Sequence, residues 1–183
     1  MELIWALAIL AIVIAFWLIL TYNTLVSLRN KVDEAWSDIE VQLKRRYDLI
    51  PNIVNTVKGY AKHESSVFEK VTKARTEAMQ SKSMEDHAKN ENALSETLKS
   101  LFAVAENYPQ LQASDNFLQL QHELTDTEDK IQASRRFYNG NVRHFITKLQ
   151  QFPTNIIAGT FGFKKKDFFD APDVELEKPE VSF

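Results

Sequence analysis

The sequence has no cysteine, four glycines and five prolines among 183 residues. Without cysteine the chain cannot form a disulfide bond, use a thiolate as a nucleophile or bind a metal through sulfur. The scarcity of glycine and proline argues against a turn-rich β fold and favours long helices. The formal net charge of −3 is opposite in sign to the basic surface that nucleic acids attract, so no nucleic-acid partner is expected.

Catalytic motifs are also missing from the sequence. There is no glycine-rich phosphate loop and no G-x-S-x-G sequence. A di-metal site in a helical bundle needs Glu-x-x-His on two helices. The residues three positions before the four histidines are instead Tyr60, Met84, Gln119 and Asn141. The sequence therefore predicts no catalytic residue, no metal site and no cofactor, and the protein is expected not to be an enzyme.

One long apolar run opens the chain. Leu3 to Leu20 are 18 consecutive apolar residues. A helix of that length measures roughly 27 Å at ~1.5 Å per residue, close to the ~30 Å of a bilayer's hydrocarbon core. A secretory signal would need a positive start and a small-residue cleavage site, whereas Glu2 precedes the run and no A-x-A-like site follows it. The run predicts an uncleaved single-pass transmembrane anchor in residues 1–21.

The cations beside the run predict its orientation. Apart from the terminal amine none precedes it, whereas Arg29 and Lys31 follow it. The positive-inside rule then places the rest of the chain in the cytoplasm. We therefore expect a cell-membrane protein with a cytoplasmic C-terminal part.

Beyond the anchor, apolar residues recur at helical spacing. The first such stripe consists of Leu25, Leu28, Val32, Trp36, Ile39, Leu43 and Tyr47. Three further stretches show the same spacing: one begins after Pro51, one covers 94–108 and one covers 117–149. Because short connections make neighbouring helices antiparallel, the sequence predicts an all-α fold. Its soluble part is an antiparallel up-down-up-down four-helix bundle in residues 22–152.

A proline interrupts the stretch LKRRYDLIPNIVNTVKGY, residues 43–60. Proline inside a helix costs about 3 kcal/mol but is tolerated in the first turn, and it disfavours helical angles at the preceding Ile50. These preferences favour a tight turn at Asp48–Pro51, with a second helix starting at Pro51. The alternative is one kinked, continuous helix.

Several polar residues lie on or beside the apolar stripes. They are Arg45, Arg46, Asn52, Asn55, Glu128, Arg135 and Asn141. They can be boundary residues whose long side chains reach water, a polar network that fixes the register of the helices, or a ligand site. Removing one partner of a buried ion pair costs about 3–5 kcal/mol, so a network predicts that Glu128→Ala destabilises the fold.

The last segment, residues 153–183, differs in composition. Its stretch FGFKKKDFF combines three lysines with four phenylalanines. The candidate membrane-surface residues in it are Phe161, Phe163, Lys164, Lys165, Lys166, Phe168 and Phe169. They can contact membrane lipid, or the segment can fold back as a hook whose rings pack on the end of the bundle. The acidic sequence after it, DAPDVELEKPEVSF, is expected to be flexible.

The run YNTLVSLRNKVDEAWSDIEVQLKRRYDLIPNIVNTVKGYAKHE, residues 22–64, resembles the LemA family, and the similarity continues through FEKVTKAR, LTDTEDKIQASRRFYNGNVRHFITKLQQFPTNIIAG and FGFKKKDFF. The resemblance implies a bacterial membrane protein with one N-terminal membrane helix, a four-helix bundle and no established catalytic residue. It also implies a link to membrane organisation or envelope stress, through a magnetosome relative and neighbouring genes for a membrane metalloprotease or a small phosphatase-like domain.

Two functions from different classes are compatible with these features. The first is a membrane-anchored scaffold that forms homo-oligomers, and Ala11 and Ala15 have the small-xxx-small spacing that allows membrane helices to approach closely. The second is a regulatory adaptor that binds a partner membrane protein such as a protease.

Overall fold

A computed structural model of the chain describes residues 1–169, and these contain six helices and no strand. The helices are α1 (Glu2–Tyr60), α2 (Ser65–Met79), α3 (Met84–Ala105), α4 (Pro109–Gln112), α5 (Asp115–Gln150) and α6 (Thr154–Thr160). The predicted all-helical fold class is confirmed for this part of the chain. The acidic tail that was expected to be flexible, residues 170–183, lies outside the described residues.

The longest element, α1, carries the apolar run at its N-terminal end. Within residues 1–169 it is the one helix long and apolar enough to cross a membrane. Every residue of the apolar run, from Leu3 to Leu20, is exposed. A continuous exposed apolar surface of this size is typical of a membrane or protein contact.

Pro51 lies inside α1, so the predicted turn at Asp48–Pro51 is wrong and the continuous helix is correct. A proline at position 51 has no N–H to give to the carbonyl of Tyr47, four residues earlier. That carbonyl instead accepts a hydrogen bond from Arg75 Nε of α2, at 2.8 Å. The helix continues to Tyr60, and the second long helix starts at Ser65 rather than at Pro51.

Local signals explain the other helix boundaries. The Ser83 hydroxyl accepts the Asp86 N–H at 3.0 Å and caps the start of α3. Pro109 occupies the first position of α4, where the missing N–H costs little. A cis Phe152–Pro153 bond separates α5 from α6.

The chain divides into two compact units. Among the described residues, unit 1 consists of Met1–Ser37 and Arg136–Asp167, and unit 2 consists of Asp38–Arg135 with Phe168 and Phe169. The buried apolar residues of unit 1 include Leu25, Leu28, Val32, Val142, Phe145 and Ile157. The core of unit 2 includes Ile53, Val57, Val71, Leu94, Leu101, Leu111 and Leu124. Within unit 2, α2 and α3 pack against each other.

Candidate functional site

A buried arginine joins three helices in unit 2. Arg46 of α1 is fully buried and forms an ion pair with Glu91 of α3, which is also fully buried. Its Nη1 donates to both carboxylate oxygens of Glu128 on α5, at 2.8 and 3.1 Å. The same nitrogen lies 3.1 Å from the Ser95 hydroxyl of α3. One guanidinium therefore holds two carboxylates and a hydroxyl from two other helices.

Tyr47 extends this group of side chains. Its hydroxyl donates to the Glu91 carboxylate, and its carbonyl accepts from Arg75 of α2. Burial raises the pKa of the Tyr47 phenol, and the charges of Arg46, Arg135 and Arg75 only partly offset that effect. The phenol therefore remains a hydrogen-bond donor at neutral pH. We call Arg46, Tyr47, Glu91, Ser95 and Glu128 the Arg46 cluster.

The other polar residues singled out in the sequence make contacts of their own. Arg45 pairs with Asp126 at 3.4 Å, and both side chains are more than a third exposed, so this pair contributes little stability. Arg135 reaches Asn92 Oδ1 at 3.4 Å and lies 4.5 Å from the centre of the Phe169 ring. In unit 1, Asn141 donates to the Phe137 carbonyl within α5.

Asn52 and Asn55 are exposed and lie outside the Arg46 cluster. Because α1 runs through Pro51 without a turn, its buried positions beyond residue 49 are Ile50, Ile53, Val54 and Val57. The asparagines fall between these positions and point away from the core. Of the seven polar residues predicted from the sequence, Arg46 and Glu128 are joined directly in the cluster.

Glu91 is the central residue that sequence reasoning missed. It lies three positions before Leu94 and seven before Leu98, both of which are buried on α3. This spacing puts a carboxylate on the apolar stripe of the helix. An acidic side chain in that position, opposite an arginine on another stripe, was the signal that could have located it.

A groove of about 690 Å³ lies beside the cluster, between α3 and α5. Leu98, Leu124 and Ile131 form part of its apolar lining, and Ser95 and Glu128 of the cluster line it too. Glu128 is partly exposed, at 28 % of its side chain. The cluster thus contacts a groove that combines apolar surface with a few polar groups, an arrangement found in binding sites.

Unit 1 contains a second feature, which we call the strap, residues 161–167. The strap begins where α6 ends in a Schellman motif, with Gly162 at φ 70° and the Phe163 N–H bonded to the Ala158 carbonyl at 2.9 Å. The Phe161 ring lies 4.9 Å from the Tyr22 ring of α1. Further along, Lys166 Nζ pairs with Asp33 at 2.8 Å. The strap therefore follows α1 from Tyr22 to Asp33.

Two more contacts hold the strap. The Phe163 ring lies 5.7 Å from the Tyr22 ring and 5.7 Å from the guanidinium of Arg29. At the end of the strap the Asp167 carbonyl accepts a hydrogen bond from the Tyr138 hydroxyl at 2.9 Å. Tyr138 also packs edge-on against Trp36.

The candidate membrane-surface residues divide into two groups. Phe161, Lys164 and Lys165 are exposed. Phe163 and Phe168 are half-buried, Lys166 is ion-paired, and Phe169 is fully buried. The second group is buried or ion-paired within the protein to different degrees, as the hook interpretation expects, and lipid contact of the segment stays a prediction. Within residues 1–169 no group of three histidine, cysteine, aspartate or glutamate side chains is placed to hold a metal ion.

Residues 1–169 are all-helical in their regular structure and carry one exposed apolar run at the N-terminal end of α1, as expected of a membrane-associated helical protein. The chain belongs to the LemA family, whose profile it matches over residues 35–183. It is 25% identical to magnetosome protein MamQ 2 of Paramagnetospirillum magneticum, over 90% of this chain and 71% of that protein. It is 24% identical to magnetosome protein MamQ of Magnetospirillum gryphiswaldense, over 98% and 77%. It is also 28% identical to protein LemA of Metamycoplasma hominis, over 87% and 74%.

Proposed function

We propose that this protein is a non-enzymatic, membrane-anchored scaffold that self-associates at the bacterial membrane, in membrane organisation or envelope stress. The apolar run crosses the membrane once, and the helices of residues 22–152 form an up-down-up-down bundle in the cytoplasm. One observation carries the proposal: α1 is a single helix that contains both the exposed apolar run and the buried Arg46.

The composition of α1 supports both the anchor and self-association. Exposing the apolar run to water costs free energy, and burial in a bilayer removes that cost. Ala11 and Ala15 allow a second copy to pack closely against this helix. The names of the MamQ relatives place those proteins in magnetosomes, which is compatible with a role in membrane organisation here.

Mass photometry of the full chain in lipid nanodiscs tests self-association. We expect dimers or larger assemblies, and Ala11→Leu with Ala15→Leu should shift the distribution towards monomers. Ala6→Leu is the control, because position 6 lies on roughly the opposite face of the helix at ~100° per residue. A wild-type protein that is only monomeric would contradict the scaffold.

A regulatory adaptor is the second candidate, and the groove between α3 and α5 favours it. Its 690 Å³ and its mixed lining could accept side chains of a partner membrane protein. Crosslinking followed by mass spectrometry separates the two functions, because Lys99 lines the groove and reacts with amine crosslinkers. Links between copies of this chain support the scaffold, whereas links dominated by one other protein support the adaptor.

A further inference from the structure

Unit 1 leaves three large apolar side chains uncovered close together in sequence. Phe152 is 81% exposed, and Ile156 and Phe161 are each 60% exposed. Ile157 and Ala158 of the same short helix are buried, so α6 is fixed to unit 1 by one side. Ile156 is exposed on the other side of α6, and the exposed Phe152 precedes that helix by two residues.

The strap fixes where Phe161, the last residue of this apolar surface, lies along α1. Phe161 contacts Tyr22, which follows the last residue of the apolar run, Leu20, by two positions. Two positions of a helix correspond to ~3 Å along its axis. If the apolar run crosses a bilayer, Phe161 therefore lies at the level where hydrocarbon gives way to headgroups.

Positive charge accompanies the apolar surface. Lys164 and Lys165 are exposed and follow Phe161 within four residues. An exposed lysine beside an anionic leaflet is attracted to its surface charge, and aromatic and aliphatic side chains enter the interface beneath it. Exposed apolar side chains with adjacent lysines match a lipid surface better than they match a second protein surface.

We propose that Phe152, Ile156, Phe161, Lys164 and Lys165 form a second membrane contact, a collar around the exit of α1 that binds the surface of an anionic bilayer. This inference rests on the proposed anchor. It assigns Phe152 and Ile156, which the sequence did not single out, and it excludes Lys166 and Phe169, which bind within the protein. The collar would hold unit 1 against the bilayer and would make its attachment depend on anionic lipid.

The lack of cysteine allows a direct test with single labelled positions. Full-length Ile156→Cys carries an environment-sensitive fluorophore and is placed in nanodiscs of phosphatidylcholine with phosphatidylglycerol, doped with a lipid whose spin label lies near the headgroups. The matched control is Phe137→Cys, a position on α5 in unit 1 that is also 60% exposed. We expect strong quenching at position 156 and little at position 137.

A third label at Ile12→Cys separates this inference from the proposed anchor. Quenching at position 12 by a deep spin label, with position 156 no more quenched than position 137, would overturn the collar and leave the anchor intact. An unquenched position 12 would overturn both. An emission shift at position 156 that grows with protein concentration, without quenching by lipid, would assign the surface to a second copy and also refute the collar.

Charge reversal tests the role of the lysines. Lys164→Glu with Lys165→Glu should reduce the quenching at position 156 to its value in nanodiscs of phosphatidylcholine alone. Lys82→Glu with Lys89→Glu, two exposed lysines of unit 2, should leave the quenching unchanged. Equal effects of the two pairs would contradict a lipid contact at Lys164 and Lys165.

Discussion

Arg75 Nε donates a hydrogen bond to the backbone carbonyl of Tyr47 at 2.8 Å. Tyr47 is four residues before Pro51, so its carbonyl is the group that the proline leaves without an intrahelical donor. A side chain of α2 thus replaces the backbone N–H that α1 lacks. The same contact ties α2 to the residue whose hydroxyl binds Glu91.

The loss of stability caused by replacing Arg75 should therefore depend on whether residue 51 is proline. Arg75→Met leaves the Tyr47 carbonyl without its donor and should lower the free energy of unfolding by about 1–3 kcal/mol. In a Pro51→Ala background, residue 51 supplies an N–H and the same change should cost less. These variants form a double-mutant cycle. Their free energies of unfolding are measured by chemical denaturation in detergent, followed by circular dichroism. Lys73→Met, an exposed position of α2, is the control, and additive effects of Arg75→Met and Pro51→Ala would refute the compensation.

The Arg46 cluster should be sensitive to the loss of one charge. Glu91→Ala leaves the buried Arg46 with only Glu128 as a charged partner and should destabilise the fold by about 3–5 kcal/mol. Arg46→Met combined with Glu91→Leu should recover much of that loss, because two apolar side chains need no charged partner. Glu96→Ala removes a mostly exposed carboxylate of α3 and should change stability by less than about 0.5 kcal/mol. Equal losses for Glu91→Ala and Glu96→Ala would disprove the role of the cluster.

The strap depends on the backbone of Gly162. Its φ of 70° is in the left-handed region, and an added Cβ meets no atom within 4 Å. Gly162→Ala should therefore destabilise the protein by about 1–2 kcal/mol through backbone conformation alone. Gly140→Ala, where a Cβ is also free of contacts, lies inside α5 and should stabilise by up to about 1 kcal/mol. In thermal melts, the melting temperature should fall for Gly162→Ala and rise for Gly140→Ala.

Alkaline pH should weaken unit 1 through Tyr138. Burial, together with the charges of Asp167 and Asp33, raises the pKa of Tyr138 from 10.0 to about 12. The unfolded chain loses this proton at the lower pH, so the contribution of Tyr138 to stability falls as pH rises from 10.0 to about 12. Tyr138→Phe should remove that part of the pH dependence, whereas Tyr22→Phe should retain it. Denaturation series across this pH range, compared between wild type and both variants, measure the difference.

The helical class could be predicted from the sequence because apolar residues recur at helical spacing along most of the chain. Val57, Val71, Leu94 and Leu101 all occupy the core of unit 2. The end of α1 could not be predicted from local preference alone. Pro51 indicates a turn locally, but Arg75 comes from another helix and restores the missing hydrogen bond.

The candidate sites were predicted only in part for a similar reason. Arg46 and Glu128 were identified as polar residues near apolar stripes, but their common partner Glu91 was found only from the structure. In residues 161–169, a composition of lysine and phenylalanine does not distinguish a ring that faces solvent from one that is buried. Phe161 and Phe169 have the same chemistry, yet one is 60% exposed and the other fully buried.

Unit 1 is assembled from the two ends of the described chain, Met1–Ser37 and Arg136–Asp167. A ribosome that adds ~5–20 residues per second needs roughly 5–20 s to synthesise the residues between them. During that interval Leu25, Leu28 and Val32, which are buried in the folded protein, lack the part of unit 1 that residues 136–167 supply. Most of unit 2 is contiguous in sequence, so it can fold before residues 136–167 are synthesised. Synthesis therefore leaves the helix face next to the apolar run open for several seconds, and this is the period in which a nascent chain is most exposed to binding by other proteins.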